Sequence, residues 1–201
     1  MFINKMPRYE ILSEESMATL TKGWRRIVSE IGIEFASPWA VDMLKEAGQE
    51  VSGENVKFDP DWILKQVAKA PQEFDLRARN PKRNVHIGGD AMVFGGVYGP
   101  PFVLEGSTRR DGTFKDFENF CKLAQSYEVL DSVGGVVVEP NDLSLDSRHL
   151  DMAFAQATLT DKFFMGNVVS ASNAKDVIAM AEIIHGGRKA IEETPALISL
   201  V

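Results

Sequence analysis

The sequence contains a single cysteine, Cys121, among 201 residues. One thiol excludes an internal disulfide framework and any metal site built from several cysteines. Cys121 shares one face of a predicted helix with Phe117 and Phe120, so it is predicted to be a buried and unreactive thiol.

Long apolar runs and an excess of positive charge are also missing. No apolar stretch approaches the ~18–20 residues that a membrane-spanning helix needs, and residues 1–9 lack the apolar segment of a signal peptide. The 22 lysines and arginines are outnumbered by 29 aspartates and glutamates, which leaves a net charge of −7. These features predict a cytoplasmic protein that binds neither membranes nor nucleic acid.

Residues 1–95 predict a small α+β unit. Ser13 is predicted to cap a first helix, and Pro38 and Pro60 are typical of the first residues of two more. The turn at 52–55 predicts a hairpin. A strand is predicted around 74–78, and the apolar residues on either side of Gly88-Gly89 predict a second hairpin.

Residues 96–201 predict alternating strands and helices. The predicted strands are centred near residues 103, 137, 165 and 198, about 28 to 34 residues apart. Capping boxes predict helix starts at Thr113 and Asn173. A helix between them, over 146–160, is predicted to face inward with Leu150, Phe154 and Ala157. The spacing fits the ~31 residues per unit of a (β/α)8 barrel, and it also fits a doubly wound sheet.

The last residues, 197–201, read as an apolar strand. A domain that ends inside a strand is unusual, so the chain is predicted to be the N-terminal part of a longer protein, with about half of the barrel strands. The exposed strand edges of a half-barrel would favour association, which leaves a homo-oligomer open.

The run Gly95-Gly96-Val97-Tyr98-Gly99-Pro100-Pro101 is the most unusual stretch. Its glycines would allow a ligand to approach the backbone closely, or they would serve a structural crossing between the two regions. No helix start follows it and it contains no lysine, so it is neither a dinucleotide fingerprint nor a P-loop.

Glu139 and Asn167 lie at or near the carboxyl ends of two predicted strands. In barrels and doubly wound sheets the active site forms at that end. A carboxylate there could face a cationic ligand and an amide could orient it, or each side chain could simply cap its loop. The three histidines, at 86, 149 and 185, have no metal-ligand spacing, so no metal site is predicted.

Several motifs together resemble the trimethylamine methyltransferase family. They are the run from Gly95 to Val103, Arg109-Arg110-Asp111-Gly112-Thr113 before a helix, Ile31-Gly32-Ile33, and Ala47-Gly48. The resemblance implies a (β/α)8 barrel more than twice as long as this chain. It also implies methyl transfer from a methylated amine to the Co(I) of a cognate corrinoid protein. The chain itself would bind no cofactor directly, because the corrinoid is supplied by that partner.

The resemblance leaves the substrate open. Some members of the family carry pyrrolysine and use trimethylamine, whereas others lack it and use quaternary amines such as glycine betaine; the pyrrolysine position lies beyond Val201. Aromatic rings suit a quaternary ammonium, and a carboxylate adds attraction. Tyr98, Phe102, Glu139 and Asn167 are therefore the candidate substrate-binding residues, and no catalytic residue is assigned. Core packing is the alternative for the two aromatic rings.

Two rival functions remain at this stage. One is another barrel enzyme, such as a lyase with a Schiff-base lysine, although no lysine stands at a predicted strand end. The other is a non-catalytic protein that binds quaternary amines.

Overall fold

The computed structural model describes residues 2–200, and these fold into two compact units. The small unit is Met6–Pro71, and the large unit comprises the described residues of 1–5 and 72–201. The structural division therefore falls near residue 72, whereas the sequence places a domain boundary near residue 95. That boundary stays a prediction.

Local signals shape the small unit. Its elements in chain order are α1 (Glu14–Arg26), a π-helix (Ile27–Ile31), β2 (Ile33–Glu34), α2 (Pro38–Glu46), β3 (Glu50–Ser52), β4 (Asn55–Lys57) and α3 (Pro60–Val67). Ser13 caps α1, since its hydroxyl accepts a hydrogen bond from the Ser16 amide at 3.2 Å. The predicted helices and the first hairpin are confirmed.

The core of the small unit is correspondingly small. Leu44, Val56 and Phe58 are buried, and β4 lies between β2 and β3 in an antiparallel sheet. Phe58 and Trp62 stack with ring centroids 6.1 Å apart. α1 itself contributes no buried residue to this core.

The large unit opens with short antiparallel pairs. These strands are β1 (Phe2–Ile3), β5 (Phe74–Leu76), β6 (Val85–Ile87), β7 (Ala91–Met92), β8 (Phe102–Glu105) and β9 (Thr108–Asp111). The predicted hairpin across Gly88-Gly89 is wrong: β6 pairs with β5, and β7 pairs with β1. A turn does form at Gly88-Gly89, but each of the two strands beside it pairs with a different strand of the large unit.

The stretch near residue 103 is also not the first parallel strand of the series. β8 and β9 form an antiparallel hairpin, closed by Gly106 at φ +61°. Only a turn that allows positive φ lets the chain reverse so tightly.

The remaining elements include the predicted helices and the last two of the predicted strands. They are α4 (Phe114–Ser126), α5 (Arg148–Leu159), β10 (Phe164–Asn167), α6 (Ala171–His185), α7 (Arg188–Glu193) and β11 (Leu197–Leu200). The capping box of Thr113 and Asp116 is confirmed. The cap of α6 is Ser170 and not Asn173, because the Ser170 hydroxyl accepts from the Asn173 amide.

The inward face of α5 differs from the prediction. Leu150 and Phe154 are 38% and 61% exposed. The buried positions are instead His149, Met152, Ala153, Ala155 and Gln156. The prediction failed because two of the buried residues, His149 and Gln156, are polar. A search for hydrophobic residues alone therefore selects a different face of α5.

The run Val133–Val138, which we call the valine segment, is buried but is not a regular strand. One parallel bridge joins Ser132 to Phe163, and the ladder then stops. Gly134 has φ +90°, which breaks the extended conformation. The prediction of a strand at 136–138 is thus wrong in form, although its burial is correct.

β10 and β11 pair in parallel, in line with the parallel bridge before β10. The described residues form a mixed α/β structure without a closed barrel. Among residues 2–200, no helix combines the length and apolarity that a bilayer crossing requires.

Candidate functional site

The run Gly95–Pro101, which we call the glycine segment, lies against the valine segment. The Gly99 amide donates to the Val136 carbonyl at 2.7 Å, and the Glu139 amide donates to the Pro100 carbonyl at 3.0 Å. A Cβ atom on Gly96 would overlap the Val133 carbonyl. At this position glycine is therefore required by the close approach of two stretches of backbone.

Tyr98 is the side chain that the glycine segment presents to the site. Its ring lies over Gly135, where a Cβ atom would overlap Cε2 of the ring, and the residue is 42% exposed. Burial, reinforced by the negative charge of Glu139, raises the pKa of Tyr98. The Tyr98 hydroxyl is consequently protonated at neutral pH, and the ring is held in a fixed place.

Glu139 directly follows the valine segment, and its backbone is fixed. The Asn141 side-chain amide donates to the Glu139 carbonyl at 3.1 Å and to the Pro101 carbonyl at 2.9 Å. The carboxylate is less satisfied. Nη2 of Arg148 lies 3.1 Å from Oε2 of Glu139, yet this buried oxygen accepts no aligned hydrogen bond. The contact is thus electrostatic, and the hydrogen-bonding capacity of this buried oxygen is unused within residues 2–200.

Asn167 is the last residue of β10 and is 8% exposed. Its register partner on β11 is Leu200. Its side-chain amide makes no hydrogen bond within residues 2–200. The amide oxygen and nitrogen of Asn167 keep some contact with solvent, so they are available to a ligand or to another part of the protein.

An open depression of about 720 Å³ lies directly beyond β10. Its lining is mostly apolar and consists of Tyr98, Val168, Val169, Ser170, Ala171, Ala174 and Leu200. Tyr98 thus lies beside the loop that immediately follows Asn167. Ligand sites commonly combine such an apolar wall with a few polar groups.

Gln156, which sequence reasoning missed, ties the two stretches together. Its amide nitrogen donates to the Gly135 carbonyl at 3.1 Å and to the Met165 carbonyl at 3.2 Å. The valine segment and β10 therefore run side by side, with Glu139 directly after the valine segment and Asn167 as the last residue of β10. Tyr98, Glu139 and Asn167 are in this sense brought to one end of the sheet.

Phe102 is placed differently. The guanidinium carbon of Arg109 lies 3.8 Å from the centre of its ring, and Phe102 does not line the depression. Its ring face on that side is already occupied by a cation. A role for Phe102 in substrate binding stays a prediction.

The remaining candidate groups have structural partners. His149 is buried, and its Nε2 lies 2.9 Å from Oδ2 of Asp176, which joins α5 to α6. Burial raises the pKa of the Cys121 thiol to about 12, so this thiol is protonated at neutral pH. Among the described residues, no cluster of three or more His, Cys, Asp or Glu could hold a metal ion.

Arg148 is the other functional candidate that the sequence reasoning overlooked. It is the first residue of α5, where the helix dipole disfavours positive charge. A positive charge at this unfavourable position, nine residues after Glu139, is the sequence signal that could have indicated the ion pair of Arg148 with Glu139.

The comparison with protein-family models decides the family. The model of trimethylamine methyltransferases matches residues 1–201. The chain belongs to the trimethylamine methyltransferase family. The resemblance expected from Gly95–Val103 and the other motifs is therefore confirmed.

Three curated relatives within this family carry names that describe their reactions. The chain is 39% identical over 197 residues to a glycine betaine methyltransferase of Desulfitobacterium hafniense (strain Y51), with 98% of the chain and 41% of the relative covered. It is 25% identical to a proline betaine:corrinoid methyltransferase of Eubacterium limosum, with 87% of the chain and 36% of the relative covered.

The third relative is the trimethylamine methyltransferase MttB of D. hafniense (strain DSM 10664 / DCB-2), 23% identical, with 91% of the chain and 38% of the relative covered. The chain thus spans about two fifths of the length of these relatives.

Proposed function

We propose that the protein is a corrinoid-dependent methyltransferase whose substrate is a quaternary methylated amine of the betaine class. The observation that carries this proposal is Oε2 of Glu139, a buried carboxylate oxygen that accepts no hydrogen bond beside the ring of Tyr98. A quaternary ammonium has no N–H group, so it suits a negative oxygen and an aromatic face without needing hydrogen-bond geometry.

The 39% identity to a glycine betaine methyltransferase supports the same substrate class. Trimethylamine is the second candidate, because one relative carries that name. Protonated trimethylamine has an N–H donor, which would find an acceptor at Oε2 of Glu139.

The described residues would bind and orient the substrate. Glu139 would attract the ammonium, Tyr98 would cover one face of it, and the Asn167 amide would hydrogen-bond to its polar substituent. The apolar walls from Val168 and Val169 would exclude water from the methyl group. Alignment of this kind is the principal requirement for a displacement at a methyl carbon, because the departing tertiary amine is a neutral leaving group.

The corrinoid would belong to a partner protein, in keeping with the name of one relative. Its Co(I) state supplies the nucleophile that accepts the methyl group. We therefore assign the amine to this chain and the cobalt to the partner protein.

We also propose that residues 96–200 form the first βα units of a (β/α)8 barrel. The parallel bridge at Ser132 and Phe163 and the parallel pair of β10 and β11 give three consecutive parallel neighbours with helices between them. The remaining units would come from sequence that corresponds to the rest of the relatives' length.

The test is methyl transfer by the full-length protein to a purified corrinoid protein in its Co(I) state, followed by absorbance. Glycine betaine, proline betaine, choline and trimethylamine would be compared. We expect transfer from a betaine, and a fall of roughly tenfold or more in kcat/KM for Glu139→Gln, a loss of about 1.4 kcal/mol.

Glu182→Gln is the matched control. Glu182 on α6 is a partly exposed carboxylate that pairs with Arg188 of α7. This variant should leave transfer unchanged. Absence of transfer from every methylated amine would reject the proposed function.

A further inference from the structure

We infer that Arg148 recognises the carboxylate of a zwitterionic substrate and thereby selects betaines over methylated amines that carry a positive charge alone. The inference rests on the function proposed above and adds the residue that sets the substrate class.

The position of Arg148 places it at the site. Its Nη2 lies 3.1 Å from Oε2 of Glu139, and the two side chains are 21% and 24% exposed. Both side chains are mostly buried and keep a fraction of exposed surface, although Oε2 of Glu139 itself is buried. A ligand that contacts Glu139 would therefore also meet the guanidinium.

The Arg148 guanidinium has more N–H donors than its contact with Glu139 can use. Arginine carries five N–H groups in a planar fork that matches a carboxylate. Within residues 2–200, the Arg148 side chain makes no hydrogen bond, because its contact with Glu139 lacks hydrogen-bond alignment. The remaining N–H groups of Arg148 keep contact with solvent, so a substrate carboxylate could bind them in place of water.

Helix stability does not account for this arginine. Arg188 also begins a helix, α7, but its guanidinium pairs with Glu192 four residues along that helix at 2.8 Å. Arg188 also contacts Glu182 of α6 at 3.2 Å, whereas the ion pair of Arg148 within residues 2–200 is with Glu139 and not with a residue of α5. The comparison separates an arginine that stabilises its helix from one that faces the candidate site.

Charge balance then selects the ligand. Glu139 alone would attract any methylated ammonium, including choline. Glu139 with Arg148 beside it is neutral as a pair, so a purely cationic ligand meets repulsion as well as attraction. A betaine presents an ammonium and a carboxylate, and can match both members of the pair.

The test compares glycine betaine with choline in calorimetric binding to the full-length protein. Choline carries the same trimethylammonium group with a hydroxyl in place of the carboxylate. We expect the wild-type protein to bind betaine about tenfold or more tightly than choline, because a charge-assisted hydrogen bond is replaced by a neutral one.

The variants sharpen this comparison. Arg148→Met should weaken betaine binding about tenfold or more and leave choline binding unchanged or tighter. Arg148→Lys should retain part of the preference, since it keeps the charge without the planar fork. Arg188→Met, which removes an exposed arginine from the first position of another helix, should alter neither affinity.

Three results would overturn the inference. In the first, Arg148→Met weakens betaine and choline equally, as a merely structural residue would. In the second, neither affinity changes. In the third, the wild-type protein shows no preference for betaine over choline. If the wild-type protein binds no methylated ammonium at all, the proposed function fails together with the inference. Should Arg148→Met not fold, the wild-type preference and its partial loss in Arg148→Lys decide the question.

Discussion

The two units of this protein are stabilised in different ways. The small unit, Met6–Pro71, relies on capped helices, a tight hairpin and three buried apolar residues. The large unit contains a larger core around the valine segment and several buried polar side chains that join residues far apart in sequence. The difference shows that regularity of secondary structure and strength of tertiary packing are separate properties.

Lys162 illustrates the long-range links of the large unit. It is 2% exposed, and its ammonium donates to the carbonyls of Ala124, Tyr127 and Leu130 at 2.5, 2.7 and 2.6 Å. These carbonyls lie at and just beyond the end of α4, where backbone acceptors lack helical partners. The Lys162 side chain thus supplies hydrogen-bond donors to the end of a helix some 35 residues earlier in the chain.

The largest effect is expected when this link is removed. Lys162→Met would leave three carbonyls without their donor, and we expect a loss of about 3–5 kcal/mol in the free energy of unfolding, measured by urea denaturation. Lys115→Met is the control, because Lys115 is exposed and pairs only with Glu118 on its own helix. Equal stabilities of the two variants would contradict the importance of the buried link.

A matched pair of cavity-forming substitutions compares the two cores directly. Leu76 in the large unit is 1% exposed and Leu44 in the small unit is 6% exposed. We expect Leu76→Ala to cost about 3–4 kcal/mol and Leu44→Ala about 2–3 kcal/mol, since a small core relaxes more readily around a cavity.

Hydrogen exchange would show where each of these losses appears. Leu44→Ala should increase amide exchange within residues 6–71 and Leu76→Ala within 72–200. Uniform acceleration throughout the chain in both variants would mean that the two units unfold as one.

A smaller effect with a pH signature is expected at the start of α4. Arg110 donates to Asp116 through two nitrogens, at 2.6 and 2.9 Å, and holds the pKa of that carboxyl well below its ordinary value of 3.8. A carboxyl with a depressed pKa stabilises the folded state above its unfolded-state pKa, and that stabilisation is lost as the pH falls.

Asp116→Asn should therefore cost about 1–2 kcal/mol at pH 7. The deficit should shrink as the pH is lowered from 4 towards 2 in parallel urea titrations of the wild type and the variant. Asp142→Asn offers a comparison at the same helix, because Asp142 accepts from the Phe114 amide without an arginine partner. A deficit independent of pH would show that the ion pair with Arg110 contributes nothing.

The smallest effect is expected in the small unit, at the cap of α1. Ser13→Ala removes the acceptor for the Ser16 amide and should cost about 0.5–1 kcal/mol. Because α1 buries no residue, we expect increased exchange confined to its first turn, and Ser13→Asp should restore protection. A loss as large as that of Leu44→Ala would contradict the view that α1 contributes little packing.

The success of sequence reasoning followed the same division. Helix starts at Ser13, Pro38 and Pro60 and the hairpin turn at 52–55 depend on neighbours within a few residues, so local patterns were sufficient. The pairing of β6 and β7, the exposed side of α5 and the irregular valine segment depend on partners elsewhere in the chain, so local patterns failed.

The candidate site shows this limit most clearly. The positions of Glu139 and Asn167 near strand ends could be predicted, because parallel strands align their carboxyl ends. The contacts of Tyr98 with Gly135, and the two hydrogen bonds that Gln156 donates, involve separations of more than eight residues and carry no periodic signal. Arg148 gave a weak local signal as a cation at a helix start, which the search for carboxylates and aromatic rings did not include.

The sequence by itself determined the family, most helix starts, the last two strands and the absence of cysteine-rich chemistry. These properties depend on residue types and on their spacing along the chain. The tertiary structure decided which strands pair, which face of α5 is buried, and that Arg148 meets Glu139. Each of these depends on desolvation and on contacts between distant segments, whose free energies exist only once the chain has folded.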